Sequence, residues 1–202
     1  MSRKRRIGSA LMLIAIIIAG VSGYSALRGE KITGEGELPT PTPHYEVVGL
    51  VTQVIDGDTI DVWIEDIVVD LHPLADVREN TDETVRFGGG IDAPELAEVG
   101  GPESGDFVSK LCPLWSRVYL DLDDLAVGGE TGLPYRGKHE RLIAVVYRVI
   151  EGQWVNINAE LLKWGMEAYP GNDWDEYAYI ESEFDMYEWT PYDNGYPYVR
   201  KS

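Results

Sequence analysis

Two short acidic segments have the residue types needed for metal-assisted chemistry. Asp56-Gly-Asp58 offers two carboxylates separated by one residue, and Asp92-Ala-Pro-Glu95 offers two more. Carboxylate oxygens bind hard cations such as calcium, and a carboxylate can also position or activate a water molecule. Either segment alone also fits an ordinary turn, because Asp-Gly is a common hairpin turn and surface loops carry solvated acids. Together they predict a metal-dependent hydrolytic site, provided that the fold brings them close.

Two arginines lie beside strand patterns that could carry them to the acidic segments. Arg86 is central in Val85-Arg-Phe87, where a strand begins, and Arg141 directly precedes the clearest strand, the Ile/Val-rich stretch from Leu142 to Ile150. Residues 45 to 64 alternate apolar and polar side chains around the turn at residues 56 to 58, which predicts a β-hairpin or meander. Residues 65 to 84 are acidic and irregular, which indicates an insertion.

Three helices are predicted between and after these strands. The first begins near Pro102, because proline fits the first turn of a helix. The second covers residues 159 to 164, with Asn158 as its N-cap and Gly165 at its end. The third starts with a capping-box pattern at residue 173 and has apolar residues at helical spacing up to residue 187. Strands combined with separated helices predict an α+β fold, which a small barrel with helices at its rim would satisfy.

The overall charge argues against a protein that coats nucleic acids. The 202 residues contain 17 Lys and Arg against 35 Asp and Glu, and four of the basic residues lie together at positions 3 to 6. Such a balance favours solubility and opposes non-specific binding to polyanions. Cys112 is the only cysteine, and the three histidines include no pair at metal-ligand spacing, so a metal should be bound by oxygen. Calcium, magnesium and manganese prefer such ligands.

The N-terminal segment has the pattern of an export signal. Residues 7 to 27 carry no charge and follow the basic cluster, as in a signal peptide or an uncleaved signal anchor. A buried core helix is the alternative, although the polar face of a globular helix is absent. We expect residues 1 to 27 to form this hydrophobic helix and residues 28 to 45 to form a Gly/Pro/Thr-rich stalk. The positive-inside rule then places the rest of the chain outside the cytoplasm, secreted or anchored to the membrane.

Taken in order, the motifs resemble those of the staphylococcal nuclease (thermonuclease) family. The ordered set carries the resemblance, because each piece alone is weak. It implies a five-stranded OB-type β-barrel with three helices. We place this domain at residues 46 to 190 and expect residues 191 to 202 to form a C-terminal tail. The matching segments are Val54-Ile-Asp-Gly-Asp-Thr-Ile60, Val85-Arg86, Ile91-Asp-Ala-Pro-Glu95, Gly101-Pro-Glu103, Glu140-Arg-Leu-Ile-Ala-Val-Val-Tyr147 and Val155-Asn-Ile-Asn-Ala-Glu-Leu-Leu-Lys-Trp-Gly165.

The resemblance implies how the acidic residues would act. Asp58 and Asp92 would bind Ca²⁺ through their carboxylates, and Ala93 would bind it through its backbone carbonyl. The family often has threonine at the position of Ala93, but a backbone ligand does not depend on the side chain. Glu95 would activate or position the attacking water molecule.

The resemblance also implies how the basic residues would act. Arg86 and Arg141 would hold the scissile phosphate, because a planar guanidinium can donate to two phosphate oxygens at once. Lys138 and His139 lie where the family binds the nucleotide, which makes them substrate-binding candidates, although a solvated histidine is the alternative at position 139. Arg141 could also merely pair with Glu140 or Glu130 on the surface, where ion pairs contribute little.

The spacing of Arg86 departs from that family. The strand arginine there is usually five residues before the metal-binding aspartate, whereas Arg86 and Asp92 are six apart. A slip of one residue would reverse the direction of side chains along part of the strand. The three glycines at positions 88 to 90 could absorb the extra residue as a β-bulge, which predicts that Arg86 still reaches the site.

The expected function is that of an exported, calcium-dependent nuclease that hydrolyses phosphodiester bonds of DNA or RNA. Two alternatives stay open. One is an inactive nuclease-like barrel that binds nucleic acid or another polymer outside the cell. The other is a calcium-binding adhesion domain, for which an acidic composition would suffice. The acids occur together with Arg86 and Arg141, which favours the nuclease, and the sequence indicates no obligate protein partner.

Overall fold

The computed structural model describes residues 41 to 174 and residues 182 to 184. The predicted N-terminal hydrophobic helix, most of the predicted third helix and the predicted tail lie outside these residues. Within the described ranges, no helix is long and apolar enough to cross a membrane. All the residues proposed for the site fall within the described part of the chain.

The first two strands form the hairpin that the alternating pattern predicts. β1 covers Val47–Val54 and β2 covers Thr59–Ile67, and they pair antiparallel with two register shifts. Such shifts bend a strand pair and increase its twist. A Cβ atom on Gly49 would lie 2.4 Å from Cγ1 of Val62, so only glycine fits at the first shift. The bent hairpin begins to curve the sheet on itself.

Three further strands close the sheet into a barrel. β3 covers Asp82–Phe87, β4 covers Arg117–Leu122 and β5 covers Leu142–Ile150. The strand order is β3-β2-β1-β4-β5, and β3 also pairs in parallel with the beginning of β5. The other pairings of these strands are antiparallel, so the chain forms a closed five-stranded mixed barrel in an α+β fold. A short β6, Gln153–Asn156, extends the far end of β5 as a hairpin.

Apolar side chains fill the interior of the barrel. Complete burial of one such side chain stabilises the folded state by roughly 1.5–3 kcal/mol. Because protein interiors are packed as densely as organic crystals, this core gives a stiff frame to the groups at its ends. The largest buried side chains from β2, β3, β4 and β5 are Ile60, Ile64, Phe87, Leu120, Leu122 and Leu142.

Helix α1 agrees with the sequence prediction. It covers Gly101–Leu111, with Pro102 in its first turn, and Gly100 precedes it in a left-handed conformation. Phe107 on this helix stacks against Trp164 of the second helix, with ring centroids 4.8 Å apart. The two helices therefore pack against each other beside the barrel.

Helix α2 is longer than predicted and has a different cap. It covers Ile157–Ala168, and its N-cap is Asn156, whose side chain accepts a hydrogen bond from Ala159 N–H at 2.9 Å. The prediction of Asn158 as the cap is wrong, because Asn158 is fully buried and its Oδ1 accepts from Val146 N–H at 3.0 Å. Asparagine at either position suits a cap, and burial decides between them.

Gly165 does not end helix α2, contrary to the prediction. A Cβ atom at this position would lie 2.5 Å from the ring of Trp174. Glycine is therefore needed here for close packing inside the helix, and the chain stays helical as far as Ala168.

Residues 65 to 84 are only partly an insertion. β2 extends to Ile67 and β3 begins at Asp82, so the loop between the strands is shorter than predicted. Arg136 ties this loop to the barrel, because its guanidinium lies 2.6 Å from Asp76 Oδ1 and 3.1 Å from Glu83 Oε2. The bulged β1–β2 hairpin interrupts the alternation of apolar and polar residues, which hid the end of β2 in the sequence.

Candidate active site

One end of the barrel brings Asp58 and Arg86 together. The turn between β1 and β2 places Asp58 directly before Thr59, and Thr59 lies opposite Arg86 in the β2–β3 ladder. Residues that face each other across a ladder direct their side chains to the same side of the sheet. The backbone fixes this arrangement further, because Phe87 N–H donates to the Asp58 carbonyl at 2.8 Å.

Arg86 forms ion pairs with both of the aspartates predicted to bind a metal. Its guanidinium nitrogens lie 3.5 Å from Asp58 Oδ1 and 3.0 Å from Asp92 Oδ1, and one of them donates to the Ile91 carbonyl at 3.0 Å. The side chain of Asp58 is 5% exposed and that of Arg86 is 13% exposed, whereas that of Asp92 is 47% exposed. These three predicted site residues therefore meet at the boundary between the barrel interior and solvent.

A glycine loop, not a β-bulge, absorbs the extra residue between Arg86 and Asp92. β3 keeps its register with β2 and β5 up to Phe87. After the strand has ended, Gly89 and Gly90 have φ angles of 83° and 78°, a conformation that residues with a Cβ atom disfavour. The predicted bulge is therefore wrong, because two left-handed glycines turn the chain without disturbing the ladder. The expected result, Arg86 directed towards Asp92, is observed.

Arg141 reaches the same carboxylate through a hydroxyl group. Its Nη1 donates to Thr59 Oγ1 at 3.3 Å, and Thr59 Oγ1 donates to Asp58 Oδ1 at 2.9 Å. The Glu140 carboxylate instead accepts from the backbone N–H of Glu130 at 2.8 Å. In the described part of the chain, Arg141 therefore forms no surface ion pair with Glu140 or Glu130, which was the alternative interpretation. Thr59 is a contributor that the sequence analysis missed, although it directly follows Asp58.

Ala93 contributes backbone groups to this site. Its N–H donates to Asp58 Oδ2 at 2.9 Å, and the residue is 9% exposed. Its carbonyl oxygen accepts no hydrogen bond from any residue that the structure describes. Buried carbonyls without a donor are uncommon, and a cation can take the place of the donor. A backbone carbonyl and carboxylates are the types of ligand that calcium prefers.

The electrostatic environment of Asp58 is set mainly by its burial. Burial raises the pKa of this carboxyl to about 6, the Arg86 guanidinium opposes the rise, and the Asp56 carboxylate adds to it. Hydrogen bonds from Ala93 N–H and the Thr59 hydroxyl favour the ionised form.

We expect the metal-free protein to lose stability as the pH rises from about 4 to about 6. The unfolded Asp58 has a pKa near 3.9, so between these values the folded state binds more protons, and the free energy of unfolding falls as the pH rises. Thermal denaturation across this pH range measures the loss of stability in wild type and in Asp58→Asn. The loss should be smaller in the variant. Asp106→Asn, on the exposed face of α1, is the control. Parallel pH profiles for wild type and Asp58→Asn would contradict this assignment.

Three predicted site residues are exposed. Glu95 follows Asp92 on the same loop, and Lys138 and His139 lie in the turn that precedes β5. Among the residues that the structure describes, none of these three side chains has a hydrogen bond or an ion pair. The backbone of Glu95 nevertheless packs closely against Gly101. A Cβ atom on that glycine would lie 1.9 Å from the Glu95 carbonyl oxygen. The structure therefore joins Asp58, Asp92, Ala93, Arg86 and Arg141 by contacts and leaves the other three open to solvent.

Gly57 allows the two acidic segments to approach each other. A Cβ atom on Gly57 would lie 2.2 Å from Ser104 Oγ and 2.7 Å from the Ala93 Cβ. The hairpin turn, the Ala93 loop and helix α1 therefore meet at a point where only glycine fits. The sequence analysis treated Gly57 as a turn residue and did not identify this role, since the contact joins segments far apart in the chain.

Gly57→Ala should lower the melting temperature and weaken calcium binding. Overpacking of this kind costs about 1–3 kcal/mol of stability, and here it would move Ala93 away from Asp58. Gly105→Ala is a matched control at the same contact, because its Cβ would lie 3.7 Å from the backbone of Asp56, an ordinary distance. The control should keep calcium affinity, and alanine in a helix should raise its stability slightly. Equal calcium affinity in both variants would rule out the packing role of Gly57.

A second cluster of ligating side chains lies at the opposite end of β1. It consists of His44, Glu46 and Asp121, and within the described ranges it is the one group of three or more such side chains with converging ligand atoms. Burial raises the pKa of both Glu46 and Asp121. The sequence analysis did not find this cluster, because Asp121 is far along the chain from the other two residues.

Comparisons with known proteins do not identify the chain. No protein-family model matches the sequence, and no curated protein matches it significantly.

Proposed function

We propose that this chain is an exported nuclease that uses calcium to hydrolyse phosphodiester bonds of DNA or RNA, on an OB-type barrel of the thermonuclease kind. The observation that carries the proposal is the meeting of Asp58, Asp92 and Arg86 at one end of the barrel, with Arg141 joined to them through Thr59. Acids that can hold a cation beside arginines that can hold a phosphate are the groups that phosphodiester hydrolysis needs. The order of the motifs along the chain supports the same proposal.

Asp58, Asp92 and the Ala93 carbonyl would hold the calcium ion. Asp58 would act as the fixed ligand, because its side chain is 5% exposed and its carboxylate is already held by Ala93 N–H and Thr59. Asp92 would act as the adjustable ligand, because nearly half of its side chain is in solvent. When bound, calcium supplies positive charge that neutralises the non-bridging oxygens of the phosphate.

Arg86 and Arg141 would donate to the scissile phosphate. The guanidinium of Arg86 faces the two carboxylates, and a phosphate beside them would offer it oxygens of the same geometry. Arg141 approaches from the start of β5 and is steadied by Thr59. Donors that are already oriented strengthen as negative charge develops in the transition state, which is how such groups accelerate the reaction.

Glu95, Lys138 and His139 would act from the solvent side of the site. The Glu95 carboxylate would position or activate the attacking water, since it is exposed and lies two residues beyond Ala93 on a loop whose backbone is fixed. Lys138 and His139 precede Arg141 by only a few residues, which supports a role in binding the nucleotide on either side of the scissile bond.

The decisive test is to assay the purified full-length chain on single-stranded DNA and RNA with calcium and then with excess chelator. Cleavage should occur with calcium, stop in chelator and return when calcium is restored. Asp58→Asn should be inactive, whereas Asp106→Asn, on the exposed face of α1, should cleave normally. Undiminished cleavage in chelator would contradict the metal requirement.

One alternative makes a different prediction in the same assay. The ion pairs of Arg86 with Asp58 and Asp92 already neutralise part of the site, as they would in a barrel that has lost turnover and only binds nucleic acid. Such a module would retain DNA or RNA on a filter without shortening it, with or without calcium.

Export is proposed from the uncharged segment at residues 7 to 27 and the basic residues before it.

A further inference from the structure

His44, Glu46 and Asp121 bring three ligand atoms to one point. His44 Nδ1 lies 3.0 Å from Asp121 Oδ1 and 3.3 Å from Glu46 Oε1, and the three atoms all lie within 4.8 Å of one another. The cluster adjoins the first residue of β1, whereas Asp58 follows the last one. The two groups share no residue, so they are distinct sites.

The pairing of β1 with β4 fixes two of the three side chains. Glu46 N–H donates to the Leu120 carbonyl at 2.9 Å, and Leu122 N–H donates to Glu46 Oε2 at 2.8 Å. Asp121 lies between those two residues on β4. The side chains of Glu46 and Asp121 are 8% and 14% exposed, and that of His44 is 69% exposed. Two ligands are therefore preorganised, and the third covers them from the solvent side.

The two buried carboxylates share a single basic neighbour. The only basic group near them in the described part of the chain is the His44 ring. Its single Nδ1 proton can serve only one acceptor, and Asp121 Oδ1 has the better hydrogen bond. Glu46 Oε1 thus accepts no hydrogen bond from the described residues, although its side chain is more than nine-tenths buried and directed into the cluster. Buried carboxylates are normally paired or bound to a metal.

We propose that His44, Glu46 and Asp121 bind a divalent first-row transition-metal ion of the zinc type. An imidazole nitrogen favours zinc, copper, iron or nickel over calcium, which prefers oxygen ligands alone. With metal–ligand distances of about 2.0–2.2 Å, neighbouring ligands of a tetrahedral ion lie roughly 3.3–3.6 Å apart. The observed 3.0 and 3.3 Å lie within a few tenths of an ångström of this range, and the third pair of ligand atoms lies within 4.8 Å.

The proposed ion would join the chain before β1 to strand β4. His44 and Glu46 lie where the chain enters the barrel, and Asp121 belongs to the strand beside it. Binding would therefore hold the entering segment against the barrel. Three protein ligands also leave a position for water or for a ligand from another molecule.

The test is to titrate the chelator-treated full-length chain with Zn²⁺ by calorimetry, in buffer that contains excess calcium. One Zn²⁺ per chain should bind, and the melting temperature should rise with Zn²⁺. His44→Ala and Asp121→Asn should each weaken the affinity at least about tenfold, since even groups that only orient a metal ligand contribute 10- to 100-fold. Because His44 is exposed, its replacement should leave the fold intact.

Controls separate this site from the active site and from adventitious binding. Asp58→Asn should abolish cleavage without changing Zn²⁺ affinity, so the failure of either proposal can be seen independently of the other. His72→Ala should also leave Zn²⁺ affinity unchanged. Co²⁺ should give the visible absorption of a four-coordinate ion in the wild type but not in His44→Ala. No Zn²⁺ binding, or binding that survives both cluster variants, would overturn the proposal, as would binding that is lost in His72→Ala.

Discussion

Arg86→Ala is expected to lower kcat by about 100-fold or more and, at the same time, to strengthen calcium binding. The first effect follows from the loss of a preorganised donor to the phosphate in the transition state. The second follows from the ion pairs, because Arg86 lies 3.5 Å from Asp58 and 3.0 Å from Asp92 and competes with any cation for these carboxylates. Steady-state kinetics at saturating calcium, together with calcium titration by calorimetry, measure both effects.

Two further variants make this result specific. Arg141→Ala should also lower kcat, but it should change calcium affinity little, because Arg141 reaches Asp58 only through the Thr59 hydroxyl. Arg78→Ala removes the same charge from an exposed loop and should leave both quantities unchanged. A kcat for Arg86→Ala within threefold of wild type, beside a severe Arg141→Ala, would show that Arg86 has only a structural role.

The parts of the fold that depend on local sequence could be predicted. The β1–β2 hairpin, strand β5 and the start of α1 follow from alternation, β-branched residues and a proline, all of which act over a few neighbouring positions. β4 escaped notice because its central residues Val118, Tyr119 and Leu120 are all buried, so they show no alternation. A strand that is covered on both faces has no period of two to detect.

The parts that depend on contacts distant in the sequence could not be predicted. Asn158 has the residue type of a helix cap, and only its burial against β5 shows that it serves the barrel instead. Likewise, spacing along the chain found no histidine pair for a metal, while His44 and Asp121 meet across 77 positions because β1 pairs with β4. The acidic segments of the candidate site were recognisable one by one, but their approach requires Gly57 to pack against Ala93 and Ser104.

Glu95→Gln is expected to reduce kcat by roughly 10²- to 10⁴-fold while the protein stays folded and binds calcium as before. The size is that of a lost general base, and the side chain is exposed with no partner among the described residues, so its removal disturbs no packing. The loop itself is held by its backbone, because Glu98 N–H donates to the Glu95 carbonyl at 2.8 Å. Single-turnover kinetics with excess enzyme would isolate this effect from product release.

Glu98→Gln provides a matched control for that experiment on the same loop. It removes the same charge three residues away, and its amide oxygen can still accept the Glu95 N–H that now donates to Glu98 Oε2 at 3.0 Å. A role in catalysis predicts that Glu98→Gln stays within a few-fold of wild type and that Glu95→Asp, with a shorter carboxylate, lies between wild type and Glu95→Gln. If the acidity of the loop merely attracts calcium, Glu95→Gln and Glu98→Gln should be equally impaired, and the defect should disappear at high calcium. That outcome would remove Glu95 from the chemical step and leave Asp58, Asp92 and the two arginines as the whole of the reacting site.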